Sequence, residues 1–441
     1  MTRREWLAAA GAAAIAPARP LLARQGSAAV DGARLQRRLE HLSTFGRPSG
    51  GGFAAGVSRV AYSDADVAAR AWVLDEIRAA GLQPRLDPAG NVFVLLGDGN
   101  RPPILFGSHI DSVPGGGNFD GDLGTLAALE VLQAVRTAGL ATRRPLEMVL
   151  WAHEESFAFG KGTACSRIVA GDLKAGDLDQ QWNGLVRREA LRRIGGDPDR
   201  IETAVRPAGA WHAYLELHIE QGGTLDRGRV PIGVVEGIVA IHRYDVVVEG
   251  MANHAGTTPM NGRQDALVAA SRLVLAVRGI AAGRQGGQVG TVGRLEVEPN
   301  SPNVVPGRVT LSVEFRDLAV ATLDALGAAT RAEAEVIARE TGTTITLTLA
   351  STNPPALAHS GVQDAVGQAA DRLALGTRRL PSGAGHDAQM IAALCPMGMI
   401  FVPSVGGISH SPRELTTWTD CTRGAQVLLG AVLALDAREN V

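Results

Sequence analysis

Cysteine is nearly missing from this chain. Three thiols in 441 residues, Cys165, Cys395 and Cys421, are too few and too scattered for a disulfide framework or a thiolate zinc site. Any metal must therefore be held by histidine, aspartate and glutamate. Net charge is almost absent as well. The 43 Lys and Arg against 45 Asp and Glu leave a formal charge of -2, without the basic excess of a nucleic-acid or membrane-surface binder. The N-terminal apolar run, Leu7 to Ala16, is too short for a permanent bilayer anchor. Internal repeats and low-complexity linkers are missing too. What remains is 45% hydrophobic and 20% charged, a soluble globular balance, and 441 residues suggest two domains.

Residues 1–29 read as a signal segment outside the fold. Arg3-Arg4 precedes the short apolar run, then Pro17 and small residues, the order of a twin-arginine export signal cleaved between Ala18 and Ala29. The expected location is periplasmic or secreted, and cytoplasmic if the signal does not function. Beyond it, strands alternate with helices. Residues 91–96, 104–106 and 146–151 read as buried strands, with a helix over 64–80 before them and one over 125–137 between the last two. This alternation predicts a mainly parallel sheet flanked by helices, with ligands beyond the carboxyl ends of its strands. A polar region over 171–209, which holds the amphipathic segment Leu185 to Ile194, reads as a surface insertion. From about residue 240 the order becomes β-α-β-β-α-β, that of a ferredoxin-like unit. The first pattern then resumes. The expectation is a catalytic domain of residues 30–239 and 352–441 carrying an inserted lid or dimerisation domain at 240–351.

The stretch Pro103 to Leu126 organises the rest. An apolar strand delivers His109 and then Asp111, a carboxylate placed to fix the tautomer of a metal-binding imidazole. A run of three glycines follows, then Asp120 at the mouth of a helix. Glu154 and Glu155 follow the strand 146–151. His218 closes the run Tyr214 to Ile219, and His410 lies in a late loop. His109, Asp120, Glu155, His218 and His410 suit two divalent ions, with Asp120 as the bridge. Such a pair activates water and polarises a carbonyl. Glu154 points away from Glu155 on extended chain and is free to act as general base.

The segments GSHIDSVPGGGNFDGDLG, HEES, LHIEQG, ANHAGTTPM, PNSPNVVPG, PSGAGHDAQM and ISHSPRE, in this order, resemble the hydantoinase/carbamoylase branch of the zinc-peptidase amidohydrolases. That branch includes N-carbamoyl-L-amino-acid hydrolases, β-ureidopropionases and allantoate amidohydrolases. The resemblance implies the same five ligands and Glu154 as base. It also implies a homodimer through the inserted domain. It assigns Gln221, Asn303, Arg316, Gly385 and His386 to substrate binding, and has His254 stabilise the oxyanion in the partner subunit's site. Ser156 and Ala158 depart from the family's usual Gly and Arg. The imidazole of His153 reads as an ordinary strand-end residue.

The expected activity is metal-dependent hydrolysis of a linear C–N bond in a small carboxylated ureido substrate, of the N-carbamoyl-L-amino-acid type. Zinc is the expected ion, with manganese, cobalt or nickel as alternatives. The other activities weighed are allantoate hydrolysis and a dipeptidase or aminoacylase on the same scaffold. A non-catalytic exported binding protein stands outside them. No nucleic acid and no stable membrane anchor are expected.

Overall fold

A computed structural model describes residues 28–174 and 176–441. All but the last two residues of the expected signal segment lie outside the described residues. No described helix is long and apolar enough to cross a membrane.

The large sheet contains β1 (Pro84–Leu86), β2 (Val92–Leu96), β3 (Ile104–His109), β4 (Leu146–Trp151), β5 (Ala213–Ile219) and β6 (Ile232–Ile238). The chain then leaves it for a second sheet of β7 (Ala240–Glu249), β8 (Val289–Glu298), β9 (Arg308–Asp317) and β10 (Thr344–Asn353). It returns with β11 (Ala356–Leu357), β12 (Thr377–Ser382) and β13 (Met397–Val402). The large sheet runs β1-β2-β4-β3-β5-β13-β6-β11, with β12 also on β6. Its centre, β4, β3, β5 and β13, is parallel, and the flanks are mixed.

Every residue of β3, β4, β5 and β13 is buried. That explains their mostly apolar runs, since a central parallel sheet is covered on both faces. Helices Gly32–Leu42, Asp64–Ala79, Asp122–Thr137, Ser360–Arg372 and Trp418–Asp436 share one core on one side. Phe93, Trp151, Trp211 and Tyr214 anchor the other. The small sheet is antiparallel, in the order β8-β9-β7-β10. With helices Ala266–Ala282 and Val320–Thr341 it has the ferredoxin-like βαββαβ connection and a core of its own.

Three local expectations need correction. The helix expected from Thr125 begins at Asp122, because Gly121 turns at φ +68° and frees the helix to start there. Region 171–209 is not simply a surface insertion. Ala190, Leu191, Ile194 and Ile201 are buried in a cluster with Tyr62 and Cys165. Strand β6 has no counterpart in the sequence reading. Its Gly233 has no room for a side chain, since a Cβ there would meet Leu380 and Phe401 within 3 Å.

Candidate metal centre and active site

Each of the four central parallel strands ends in a segment that carries a chemically capable side chain. Strand β3 ends at His109, β4 runs into Glu154 and Glu155, His218 stands near the end of β5, and the loop after β13 carries His410. This is the edge at which open α/β sheets bind ligands, because the helices fold away and leave the strand ends facing a crevice.

Asp120 is the hub. Its Oδ1 lies 3.1 Å from His218 Nε2 and 3.6 Å from His109 Nε2. Its Oδ2 lies 3.3 Å from His410 Nε2, which is itself 3.2 Å from Glu155 Oε1. Beside a third set of ligand-type atoms, Glu216–His218–His386, two sets share Asp120: His109–Asp120–His218 and Asp120–Glu155–His410. Tetrahedral bonds of about 2.0–2.1 Å require donor atoms about 3.3 Å apart. The observed spacings fit that requirement, so the residues present suit a divalent ion in each of the two sets that share Asp120. Gly121 makes the approach possible, since a Cβ there would stand 2.4 Å from the His109 ring.

The imidazoles are oriented from behind. His109 Nδ1 faces the carbonyl oxygen of Asp111 at 3.0 Å, and His218 Nδ1 faces that of Ile219 at 2.9 Å. A carbonyl only accepts, so both Nδ1 atoms carry a proton and both Nε2 atoms are turned toward Asp120. The expected partner for His109, the Asp111 carboxylate, is therefore corrected to the Asp111 backbone. That carboxylate instead accepts the backbone N–H of Glu154 at 3.1 Å and of Glu155 at 3.0 Å. It fixes the turn that presents both glutamates.

The electrostatics point the same way. Burial disfavours charge on His218, yet Asp120 outweighs it and holds the imidazole up to about 9. Hydrogen bonds to Asp120 and Glu155 push His410 up to about 11. Carboxylates that draw protons this strongly onto neighbouring imidazoles would draw a divalent cation in their place. Burial, followed by the charges of Glu155 and Asp387, raises the Glu154 carboxyl well above the ordinary glutamate value. Glu154 belongs to neither donor set, and its Oε2 is 3.9 Å from His109 Nε2.

A cavity of about 320 Å³ opens onto these groups, a size suited to a small molecule. Gln221, Arg316, Gly385 and His386 line it, together with Ser156 and Arg167. Gln221 donates from Nε2 to Asp120 Oδ2 at 2.7 Å, while its buried Oε1 has no hydrogen-bond partner among the described residues. Arg316 pairs with Glu314 rather than with its neighbour Asp317, and also donates to the carbonyl of Gly383. His386 is buried against the His218 ring, 4.6 Å between centroids, and contacts Ser382 Oγ. Burial and the charge of His218 hold it well below the usual imidazole value, so it stays neutral.

His254 and Asn303 do not line this cavity. They sit together on the small-sheet unit, where His254 pairs with Val304 in a short ladder and both side chains are exposed. His254 Nδ1 accepts the N–H groups of Gly256 and Thr257, which leaves the proton on an outward Nε2.

The sequence reading missed several supports. His153 is more than a strand-end residue. It is buried at φ +54°, bonded to Tyr62 Oη and to the carbonyl of Ala158. Ala158 is fully buried there. Arg59 is fully buried, donates to three carbonyls and grips Asp122 with both Oδ atoms. A buried arginine in a polar N-terminal stretch carries no pattern that sequence alone would flag.

Comparisons with known proteins agree with this geometry. The sequence profile of "Peptidase family M20/M25/M40" matches residues 105–434. An N-carbamoyl-L-amino acid amidohydrolase of Geobacillus stearothermophilus is 40% identical over 92% of this chain and 99% of its own. An allantoate amidohydrolase of Escherichia coli K12 is 34% identical over 89% and 95%. The crystal structure of an amidase of the hydantoinase/carbamoylase family from Burkholderia multivorans superposes with a TM-score of 0.86. It is 37% identical and covers 94% of this chain and all of that one.

Proposed function

Given that the chain belongs to peptidase family M20/M25/M40, we propose that it is an amidohydrolase of non-peptide C–N bonds, acting on N-carbamoyl amino acids. One observation carries this reading. The two oxygens of Asp120 face two separate donor sets, and a third buried carboxylate, Glu154, stands beside them unused.

His109, Asp120 and His218 would hold one divalent ion, and Asp120, Glu155 and His410 the other. Zinc fits imidazole and carboxylate ligands, and manganese, cobalt or nickel are the alternatives. When bound, the pair supplies Lewis acidity and lowers the pKa of water. Glu154 takes the attacking water's proton as the water adds to the carbamoyl carbon. It then delivers that proton to the leaving nitrogen as the C–N bond breaks. Loss of one nitrogen leaves a carbamate, which breaks its remaining C–N bond spontaneously in water, so the final products are the free amino acid, ammonia and carbon dioxide. The Arg316 guanidinium, anchored by Glu314 and Gly383, offers its remaining N–H groups to the substrate carboxylate. Gln221 Oε1, Asn303 and the Gly385–His386 segment complete the substrate contacts.

We further infer that residues 30–239 and 352–441 form the catalytic unit and 240–351 a lid through which two copies pair. His254 of one copy then donates to the oxyanion of the other. Leu275 and Val289, 70% and 51% exposed on that unit, support such a contact. Export through the twin-arginine segment belongs to the same reading.

The test is turnover by purified protein loaded with zinc, manganese or cobalt. N-carbamoyl-L-amino acids should be hydrolysed faster than allantoate, N-acetyl amino acids or dipeptides. Faster hydrolysis of allantoate would move the assignment to that activity, which the 34% identical Escherichia coli relative makes the second reading. Turnover confined to dipeptides or acetyl substrates would contradict both.

A further inference from the structure

We infer that Glu414 is a positioning residue that locks Asp120 to the loop carrying His410. The inference rests on the two-ion reading of the site. Asp120 and Glu414 lie 294 residues apart in the chain. No secondary structure joins their loops.

Glu414 is buried, and each of its oxygens has a separate task. Oε1 accepts the backbone N–H of Phe119 at 2.9 Å and of Asp120 at 3.1 Å. Oε2 accepts the Ser409 hydroxyl at 2.7 Å, and that hydroxyl also lies 3.0 Å from Asp120 Oδ2. A serine has one hydrogen to give. With Asp120 Oδ2 committed to a cation, the proton goes to Glu414, and Glu414 then holds both loops at once. Gly117 leaves the space for this carboxylate, since a Cβ there would fall 2.0 Å from Glu414 Oε1. Glu414 is not in either donor set. Both its oxygens are spent on N–H and O–H donors, so it acts on the ions only through Asp120 and the Ser409–His410 loop. Partners that orient metal ligands in this way are worth about 10- to 100-fold in metal affinity.

Glutamine separates this role from mere filling of space. In Glu414→Gln, Oε1 still accepts both N–H groups, and Nε2 donates to the Ser409 hydroxyl oxygen, so both loops stay tied. In Glu414→Ala both ties vanish. Chelator titration of the full-length protein with zinc, with the thermal midpoint of the metal-free form as a folding check, reads the difference. The alanine variant should bind the weaker ion about 10- to 100-fold less tightly than wild type, and the glutamine variant within about threefold. Wild-type affinity in the alanine variant would overturn the inference. So would a glutamine variant as weak as the alanine one. If the alanine variant does not fold, Ser409→Ala decides, since it cuts only the hydroxyl link. It should weaken one ion several-fold, and unchanged zinc binding would overturn the inference. If wild type itself takes a single ion, the two-ion reading falls. The ratio of alanine to glutamine affinities at that ion still decides the role of Glu414, because Asp120 belongs to both donor sets.

Discussion

The carboxyl-end loops of the large sheet and the four-stranded unit that interrupts it are built on opposite terms. In the first, most polar side chains are buried and bonded, with His410 the exposed one of the five candidate ligands. Asp111 fixes two glutamate N–H groups, Arg59 grips Asp122, and Asp120 faces three imidazoles. In the second, His254 and Asn303 stand in the open, and apolar side chains such as Leu275 and Val289 reach solvent. A buried charge without partners is costly, so the first arrangement persists only if complete. The exposed His254 carries no such requirement and is free to meet another surface. Under the proposed function this contrast would be a division of labour, in which one chain completes the ion cage and the inserted unit holds groups for a substrate site in another copy.

Substitutions should divide along the same line. The largest effect belongs to Asp120→Ala, which removes a ligand common to both sets. Zinc measured after gel filtration should be lost and turnover should fall to background. Glu154→Gln should lower kcat by about 100- to 10,000-fold while both ions stay bound, because a general base is lost and no ligand is. His254→Ala should lower kcat by about 100- to 1,000-fold, the worth of an oxyanion donor, again with full metal content. Mixing the Glu154→Gln and His254→Ala proteins tests the division itself. Activity recovered on mixing means that His254 serves the other copy's site, and no recovery means that it does not. Arg316→Ala should raise KM by about 10- to 100-fold and spare kcat, the effect of a lost charged hydrogen-bond pair on ground-state binding.

The smallest effect concerns acid. Burial, with the charge of Arg187 adding to it, pulls His153 down to about 3. The unfolded imidazole titrates near about 6.5, so between these values the unfolded chain binds more protons. The stabilisation from a neutral His153 is thus complete above about pH 6.5 and is lost as pH falls toward 3. The thermal midpoint of the metal-free protein should exceed that of His153→Asn by more at pH 7.5 than at pH 5. An equal gap at both would show that protonation of His153 does not contribute.

The ligand-bearing loops were legible because the central strands are mostly apolar runs, and three of them carry a histidine or run into an acidic pair at their carboxyl ends. The βαββαβ order of the small sheet was legible for the same reason, in periods of two and of three to four residues. The supports were not. Asp111 acts on N–H groups 43 residues away, and Glu414 on N–H groups nearly 300 residues away, contacts that leave no local pattern. Strand β6 escaped notice because Gly233 and Gly237 break its apolar run, at positions where packing leaves no space for a side chain. Region 171–209 looked polar because its buried Ala190, Leu191 and Ile194 are set among arginines.

The most direct measurement is a crystal structure of the zinc-loaded protein with anomalous scattering recorded at the zinc edge. The account expects two peaks about 3.5 Å apart, each bonded to one oxygen of Asp120, with Glu154 bonded to neither. A single peak, or a Glu154 oxygen within about 2.2 Å of a zinc ion, would contradict it.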